Sequence, residues 1–234
     1  MKHEDIASYL DATNLKPDAS RETIQHLCKE AKENTCAAVC LYPTEVALAC
    51  KALKGSSVGV ATVIGFPSGR FHTASKSAEI EAVAKAGARE VDIVMNYPAL
   101  LEGDKKTVQE ELETLVQNAH HRQLIVKIIV ETCYLTEELV LESLRLCENA
   151  HADFIKTSTG FGSAGAQTEH IKKWADHRKA IKIKASGGIK TFAEAQAMIR
   201  AGADRLGVSS ASRILQEAAG EVVPGDSGSG NSSY

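Results

Sequence analysis

The chain has 234 residues, 44% of them hydrophobic, and a formal net charge of -3 at neutral pH. That length is ordinary for a single α/β barrel and leaves apolar residues enough for one sizeable core. Scattered basic residues argue against a nucleic-acid surface, and no apolar run approaches a membrane span.

Met1-Lys2-His3-Glu4-Asp5 is not expected to be a secretion signal. The six cysteines, at 28, 36, 40, 50, 133 and 147, include no Cys-x-x-Cys pair. They read as reduced thiols of a cytoplasmic protein.

A short polar helix over residues 3–9 leads into Leu10-Asp11-Ala12-Thr13-Asn14-Leu15, the first expected strand. Ser20 as N-cap, with Thr23 in the first turn, predicts a helix near 21–32. Ala37-Ala38-Val39-Cys40-Leu41 reads as the second strand, stopped by Pro43, with a helix over 44–53. The third strand, 58–64, ends at Gly65-Phe66-Pro67-Ser68-Gly69, and the helix over 74–86 closes on Gly87. A fourth strand over 90–96, a helix over 105–120, a fifth strand over 124–131 and a helix over 136–149 follow.

Phe154-Ile155-Lys156-Thr157-Ser158-Thr159-Gly160-Phe161-Gly162 begins within the sixth strand, 153–157. It ends in small, hydroxylated and glycine residues that suit a loop close to a ligand. A helix near 168–176 precedes the seventh strand, 181–185, which runs into Ser186-Gly187-Gly188. Thr191 caps a helix ending at Gly202, Arg205-Leu206-Gly207-Val208 is the eighth strand, and Ser209 is expected to cap the last helix.

Eight strands alternating with helices imply a parallel sheet with right-handed crossovers. The expected fold is α/β, a single (β/α)8 TIM barrel over residues 1–222 with a short N-terminal helix. A doubly wound open sheet is the alternative, disfavoured because no Gly-x-Gly-x-x-Gly follows the first strand. Residues 223–234, rich in glycine and serine, form a flexible C-terminal tail ending in Tyr234.

Successive strand residues point to opposite faces. Assigning the uniformly apolar set of each strand to the helix side puts Asp92, Lys127, Glu131, Lys156 and Lys184 inside the barrel together. Such charges can form a satisfied structural network. Lys156 and Lys184, however, each precede a glycine turn, and a buried lysine is unfavourable unless paired. Two neighbouring, partly desolvated amines disfavour each other's charge, so one pKa falls. A free amine can attack a carbonyl to form a Schiff base, whose protonated form stabilises a carbanion as aldol cleavage requires.

The eight histidines show no ligand spacing, so no metal site is expected. Cys36 and Cys40 are expected on one strand face as buried thiols, with Cys40 able to line the pocket. Gly187 and Gly188, after the seventh strand, and Gly207, Ser209 and Ser210, after the eighth, suit phosphate bound by backbone N–H groups.

These motifs resemble the deoxyribose-phosphate aldolase family. The likeness rests on Ala37-Ala38-Val39-Cys40-Leu41-Tyr42-Pro43, Glu90-Val91-Asp92-Ile93-Val94-Met95-Asn96, Phe154 through Gly160, and Lys184-Ala185-Ser186-Gly187-Gly188-Ile189. It runs from Leu10-Asp11-Ala12-Thr13 to the terminal tyrosine. The resemblance implies reversible cleavage of 2-deoxy-D-ribose 5-phosphate to glyceraldehyde 3-phosphate and acetaldehyde, without metal or cofactor. It makes Lys156 the Schiff-base lysine, a choice the residues alone leave open between Lys156 and Lys184. Lys184 becomes the amine that lowers its pKa, Asp92 the proton-transfer group and Tyr234 the proton carrier at the enamine carbon.

Thr13, Cys40, Lys127, Thr159 and Gly160 join the glycine loops as expected substrate contacts. Lys190 departs from the arginine common in the family and cannot make a bidentate phosphate contact. The expected partners are phosphosugar and aldehyde substrates, with no nucleic acid and no membrane; a homo-oligomer, dimer or tetramer, is compatible with the fold. A sugar-phosphate isomerase and a non-catalytic phosphosugar-binding regulator on the same barrel are the rival readings.

Overall fold

The computed structural model describes residues 3–221 and 223. The rest of the tail expected over 223–234, Tyr234 included, lies outside the described residues. The eight strands are β1 (Leu10–Thr13), β2 (Ala38–Leu41), β3 (Gly59–Ile64), β4 (Glu90–Val94), β5 (Ile125–Ile129), β6 (Phe154–Lys156), β7 (Lys182–Ser186) and β8 (Arg205–Val208). Each pairs in parallel with the next, and β8 pairs with β1, so the sheet closes into a barrel. The expected (β/α)8 architecture is the observed one.

Helices pack outside the barrel through their apolar faces, and their ends are set locally. In the helix Arg21–Glu33 the Ser20 hydroxyl accepts the Thr23 N–H at 3.1 Å. Gly87 ends the helix Thr73–Ala86 in the left-handed conformation, φ 103°, which glycine adopts without a Cβ clash. Asp104 caps the helix Lys105–His120 and Thr136 caps Glu137–Asn149. Thr191 and Glu194 form a reciprocal capping box at the start of the helix Phe192–Ala201. Among the described residues no helix is long and apolar enough to cross a membrane.

The main core lies between the barrel and its helices, and includes Val91, Ile93, Val126, Ile128, Ile155, Ile183 and Trp174. A smaller apolar cluster of Leu15, Ala38, Cys40, Ala61 and Val63, with Tyr42 and Phe66 against it, fills part of the barrel interior. Cys36 belongs to the outer core and Cys40 to the inner cluster. They therefore do not share a strand face: Cys36 precedes β2, and its N–H donates to Ala31 O at 2.9 Å.

Four local expectations are corrected. β4 stops at Val94, and Asn96 instead begins a short helix, Tyr97–Leu101, started by Pro98 near its N-terminus. Ser210, not Ser209, is the N-cap of the final helix, Ala211–Ala218. Glu131 lies beyond β5 at φ 55°, ψ 65°, so it leaves the inward-facing alternation. Gly207 sits within β8, as the strand bounds 205–208 require, opposite Ser186 and Asp11, and not in the loop after it where the phosphate reading sets it.

Candidate active site

Four parallel strands deliver the central groups. In register, Asp92 stands beside Lys127, Ile129 beside Lys156, Lys156 beside Lys184 and Lys184 beside Arg205. Parallel pairing thus places successive basic groups side by side around the inner wall. Asp92 joins them: one carboxylate oxygen accepts from Lys156 Nζ at 2.8 Å and Lys184 Nζ at 2.7 Å, the other from Lys127 Nζ at 2.8 Å. All four side chains are at most 1% exposed.

A second tier closes the network below. Asp11 pairs with Lys184 and accepts from Arg205 at 2.6 Å, and Glu90 lies 2.5 Å from Lys127. The linked network therefore holds four basic groups (Lys127, Lys156, Lys184, Arg205) against three acids (Asp11, Glu90, Asp92). Loss of one proton from a basic group would balance it, and the question is which group gives it up.

The surroundings decide for Lys156. Burial lowers its pKa; Asp92 opposes that shift, and the Lys184 ammonium adds to it. Lys184 is equally buried, yet its contacts with both Asp11 and Asp92 outweigh desolvation and hold its pKa well above the usual lysine range. Asp92 likewise stays ionised: burial pushes its pKa up, but Lys127, Lys156 and Lys184 together hold it well below the usual carboxylate range. Lys127 is held protonated by Asp92 and Glu90 against its burial. The amine with one carboxylate partner is the one disposed to be neutral.

Asp11, Glu90 and Arg205 were not singled out from the sequence. The signal was present at Asp11, a charge between Leu10 and Ala12 in a strand. For Glu90, on the same face as Asp92, and for Arg205 it was weaker, since charges at strand ends usually face solvent.

The remaining sequence candidates fall into three places. Cys40 Sγ is 4.0 Å from Asp92, inside the barrel, and burial pushes its thiol pKa up to about 11. Thr13, at the end of β1, is buried and donates its hydroxyl to Asp11 O at 2.8 Å. Lys127 is enclosed between Asp92 and Glu90, which makes it a support for Asp92.

Thr159 and Gly160 form the loop beyond Lys156, with Gly160 at φ 88°. Gly187 and Gly188 follow β7 at φ 84° and 79°, and a Cβ at Gly188 would project into open space. Ser209 and Ser210 lie at the start of the final helix, close in sequence to β8. Gly207 also makes room for the lysine: a Cβ there would lie 3.0 Å from Lys184 Cε and 2.9 Å from Ser186 Cβ. Lys190 is exposed, and its backbone N–H donates to Glu194 at 2.8 Å.

A closed parallel barrel with two buried amines sharing one carboxylate oxygen at its centre is suited to carbonyl chemistry. Residues 7–217 match the model of the DeoC/LacD family aldolases. The chain belongs to that family and is an aldolase, a lyase. It is 46% identical over 220 residues to a deoxyribose-phosphate aldolase of Thermococcus gammatolerans, covering 92% of this chain and 96% of that protein. With a deoxyribose-phosphate aldolase of Treponema denticola it shares 44% over 212 residues, 90% of this chain and 98% of the relative. Among solved structures, the tetrameric deoxyribose phosphate aldolase of Aeropyrum pernix superposes with a TM-score of 0.86 at 31% identity, covering 92% of this chain and 91% of that one.

Proposed function

We propose that this aldolase cleaves 2-deoxy-D-ribose 5-phosphate reversibly to glyceraldehyde 3-phosphate and acetaldehyde through a Schiff base on Lys156. The observation that carries the mechanism is the sharing of one Asp92 oxygen by Lys156 and Lys184, with the pKa of Lys156 pushed down and that of Lys184 up.

Lys156, as the free amine, attacks the C1 aldehyde of the open-chain sugar, and the carbinolamine loses water to a protonated imine. Removal of the proton from the C3 hydroxyl then breaks the C2–C3 bond. Its electron pair moves to the imine nitrogen, leaving an enamine and releasing glyceraldehyde 3-phosphate. Protonation of C2 and hydrolysis of the imine release acetaldehyde and restore the lysine. Asp92, touching both amines, passes protons between them and the reacting oxygen, while Lys184 keeps the site positive.

Gly187, Gly188, Ser209 and Ser210 hold the substrate phosphate through backbone N–H groups and hydroxyls. Tyr234, outside the described residues, is assigned to proton delivery at the enamine carbon. Replacing it with phenylalanine should slow solvent-deuterium exchange into acetaldehyde while leaving imine formation intact. The substrates suit a cytoplasmic enzyme, and the tetrameric relative supports a homo-oligomer.

The direct test is borohydride reduction in the presence of acetaldehyde, read by mass spectrometry. A stable two-carbon adduct on Lys156 is expected. No adduct would refute the Schiff-base mechanism, and an adduct on Lys184 would reverse the two lysines.

A further inference from the structure

The loop beyond the reactive lysine is built around a carboxylate that the reaction scheme does not use. Glu131 follows β5 and is 2% exposed. Its backbone is left-handed, φ 55° and ψ 65°, a conformation that side-chain-bearing residues seldom adopt unless the surroundings enforce it. Nothing about a strand end demands this, since a glycine would meet it without strain.

The contacts supply the reason. The turn aims the side chain at the loop after Lys156, where the carboxylate accepts the Thr159 N–H at 3.2 and 3.3 Å and the Thr159 hydroxyl. That hydroxyl in turn accepts the Phe161 N–H at 3.0 Å. The Thr132 N–H donates to Thr157 O at 2.9 Å, which extends the pairing of the two segments past the strand ends. Gly162 completes the wrap: a Cβ there would lie 2.6 Å from Cys133 Sγ and 3.3 Å from the Glu131 carboxyl. Thr159 to Gly162 is therefore moulded on one side chain.

The other side of the loop meets the glycine turn assigned to phosphate. A Cβ at Gly187 would be 3.7 Å from Gly160 Cα and 3.6 Å from Ser158 Cβ. The Ser186 hydroxyl donates to Ser158 O at 2.8 Å, and the Ala166 N–H donates to Gly187 O at 3.0 Å. Gly160 therefore lies alongside Gly187, and the Ser186–Ser158 hydrogen bond ties the two segments together just before both. Lys156, by contrast, is hydrogen-bonded through β6 pairing and Asp92, and its charge reaches Glu131 only as a minor influence behind burial and the Thr159 contacts.

We propose that Glu131 is a positioning residue for the phosphate-bearing half of the substrate: through Thr159 it holds the loop against Gly187, and imine formation at Lys156 proceeds without it. This rests on the aldolase reading above.

The test compares Glu131→Ala, Glu131→Gln, Thr159→Val and the double variant Glu131→Ala/Thr159→Val in the full chain. Three readouts are taken: KM and kcat for 2-deoxyribose 5-phosphate, kcat/KM for unphosphorylated 2-deoxyribose, and the borohydride-trapped acetaldehyde adduct. Glu131→Ala should raise KM for the phosphorylated sugar about tenfold or more, the effect of losing roughly 1.4 kcal/mol of binding. Unphosphorylated deoxyribose and the Lys156 adduct should change less than about threefold. Glu131→Gln, which keeps an acceptor for the Thr159 N–H, should recover most of the affinity.

If the two residues act as one unit, the double variant should be no worse than Glu131→Ala. Equal losses for both sugars, or multiplied losses in the double variant, would overturn the proposal. Should Glu131→Ala fail to fold, Glu131→Asp, one methylene shorter and so drawn back from Thr159, decides: a selective rise in KM for the phosphorylated sugar supports the assignment and an unselective one refutes it. A wild type that forms no adduct, with KM effects intact, refutes the Schiff-base reading and leaves the positioning role standing.

Discussion

Replacing Lys184 with leucine removes the ammonium that sits beside Lys156 on a shared Asp92 oxygen. Two amines bonded to one oxygen at 2.8 and 2.7 Å are roughly 5 Å apart, and at an effective dielectric of ~20 their repulsion is about 3 kcal/mol, or ~2 pKa units. The substitution also leaves Asp92 with one cation fewer, which strengthens its hold on the Lys156 proton. Both effects have the same sign. The Lys156 pKa should rise, so a larger share of the enzyme carries the unreactive ammonium at neutral pH.

The assay is kcat/KM for 2-deoxyribose 5-phosphate across the pH range, whose acid limb reports the free enzyme's essential amine. The limb should move to higher pH by about one to two units, with partial recovery of rate in alkaline buffer. The variant should still fold, because Arg205 continues to neutralise Asp11, and Lys127 and Lys156 continue to bond Asp92. It should nonetheless lose stability, since a buried carboxylate loses a partner. An unshifted acid limb in a folded variant would refute the coupling between the amines.

Asp92→Asn should permit imine formation but slow the proton transfers by ~10²–10⁴-fold, measured as kcat against the yield of trapped adduct. Gly188→Leu should weaken binding of the phosphorylated sugar far more than of free deoxyribose, because its side chain would occupy the open space beside the turn; equal losses would remove the phosphate cup from the account. Gly207→Ala should lower thermal stability by about 1–3 kcal/mol and reduce turnover, because the new methyl group would lie 3.0 Å from Lys184 Cε. A Tm and rate like those of the wild type would show that Lys184 has room to move.

Thermal stability should also fall in acid. Asp11 and Asp92 have folded-state pKa values held below the ordinary range by their lysine and arginine partners. Folded protein therefore binds fewer protons there than unfolded chain does, and the stabilisation present above pH ~4 is lost as pH falls through the folded values. A midpoint that does not move between pH 6 and the acid range would contradict the ionised state of these groups.

Alternation along the chain was enough to read the barrel and to turn Asp92, Lys127, Lys156 and Lys184 inward. Strand side chains alternate with a period of two, and the apolar set of each strand must face the helices, so the polar set has one direction left. Caps were equally local: Ser20, Thr191 and Gly87 act within a few residues of themselves.

What no strand shows by itself is who meets whom. Asp11 and Lys184 are 173 residues apart and touch because β8 closes onto β1. That closure gives Lys184 two carboxylates and leaves Lys156 with Asp92 alone. Pairing of β8 with β7 sets Gly207 over the Lys184 side chain, a neighbour its own strand does not show, and Glu131, inward by alternation, turns left-handed towards Thr159. Periodicity determined which residues are inside; barrel closure and register decided their partners, because pKa depends on charges a few ångströms away in space, however far apart they are in the chain.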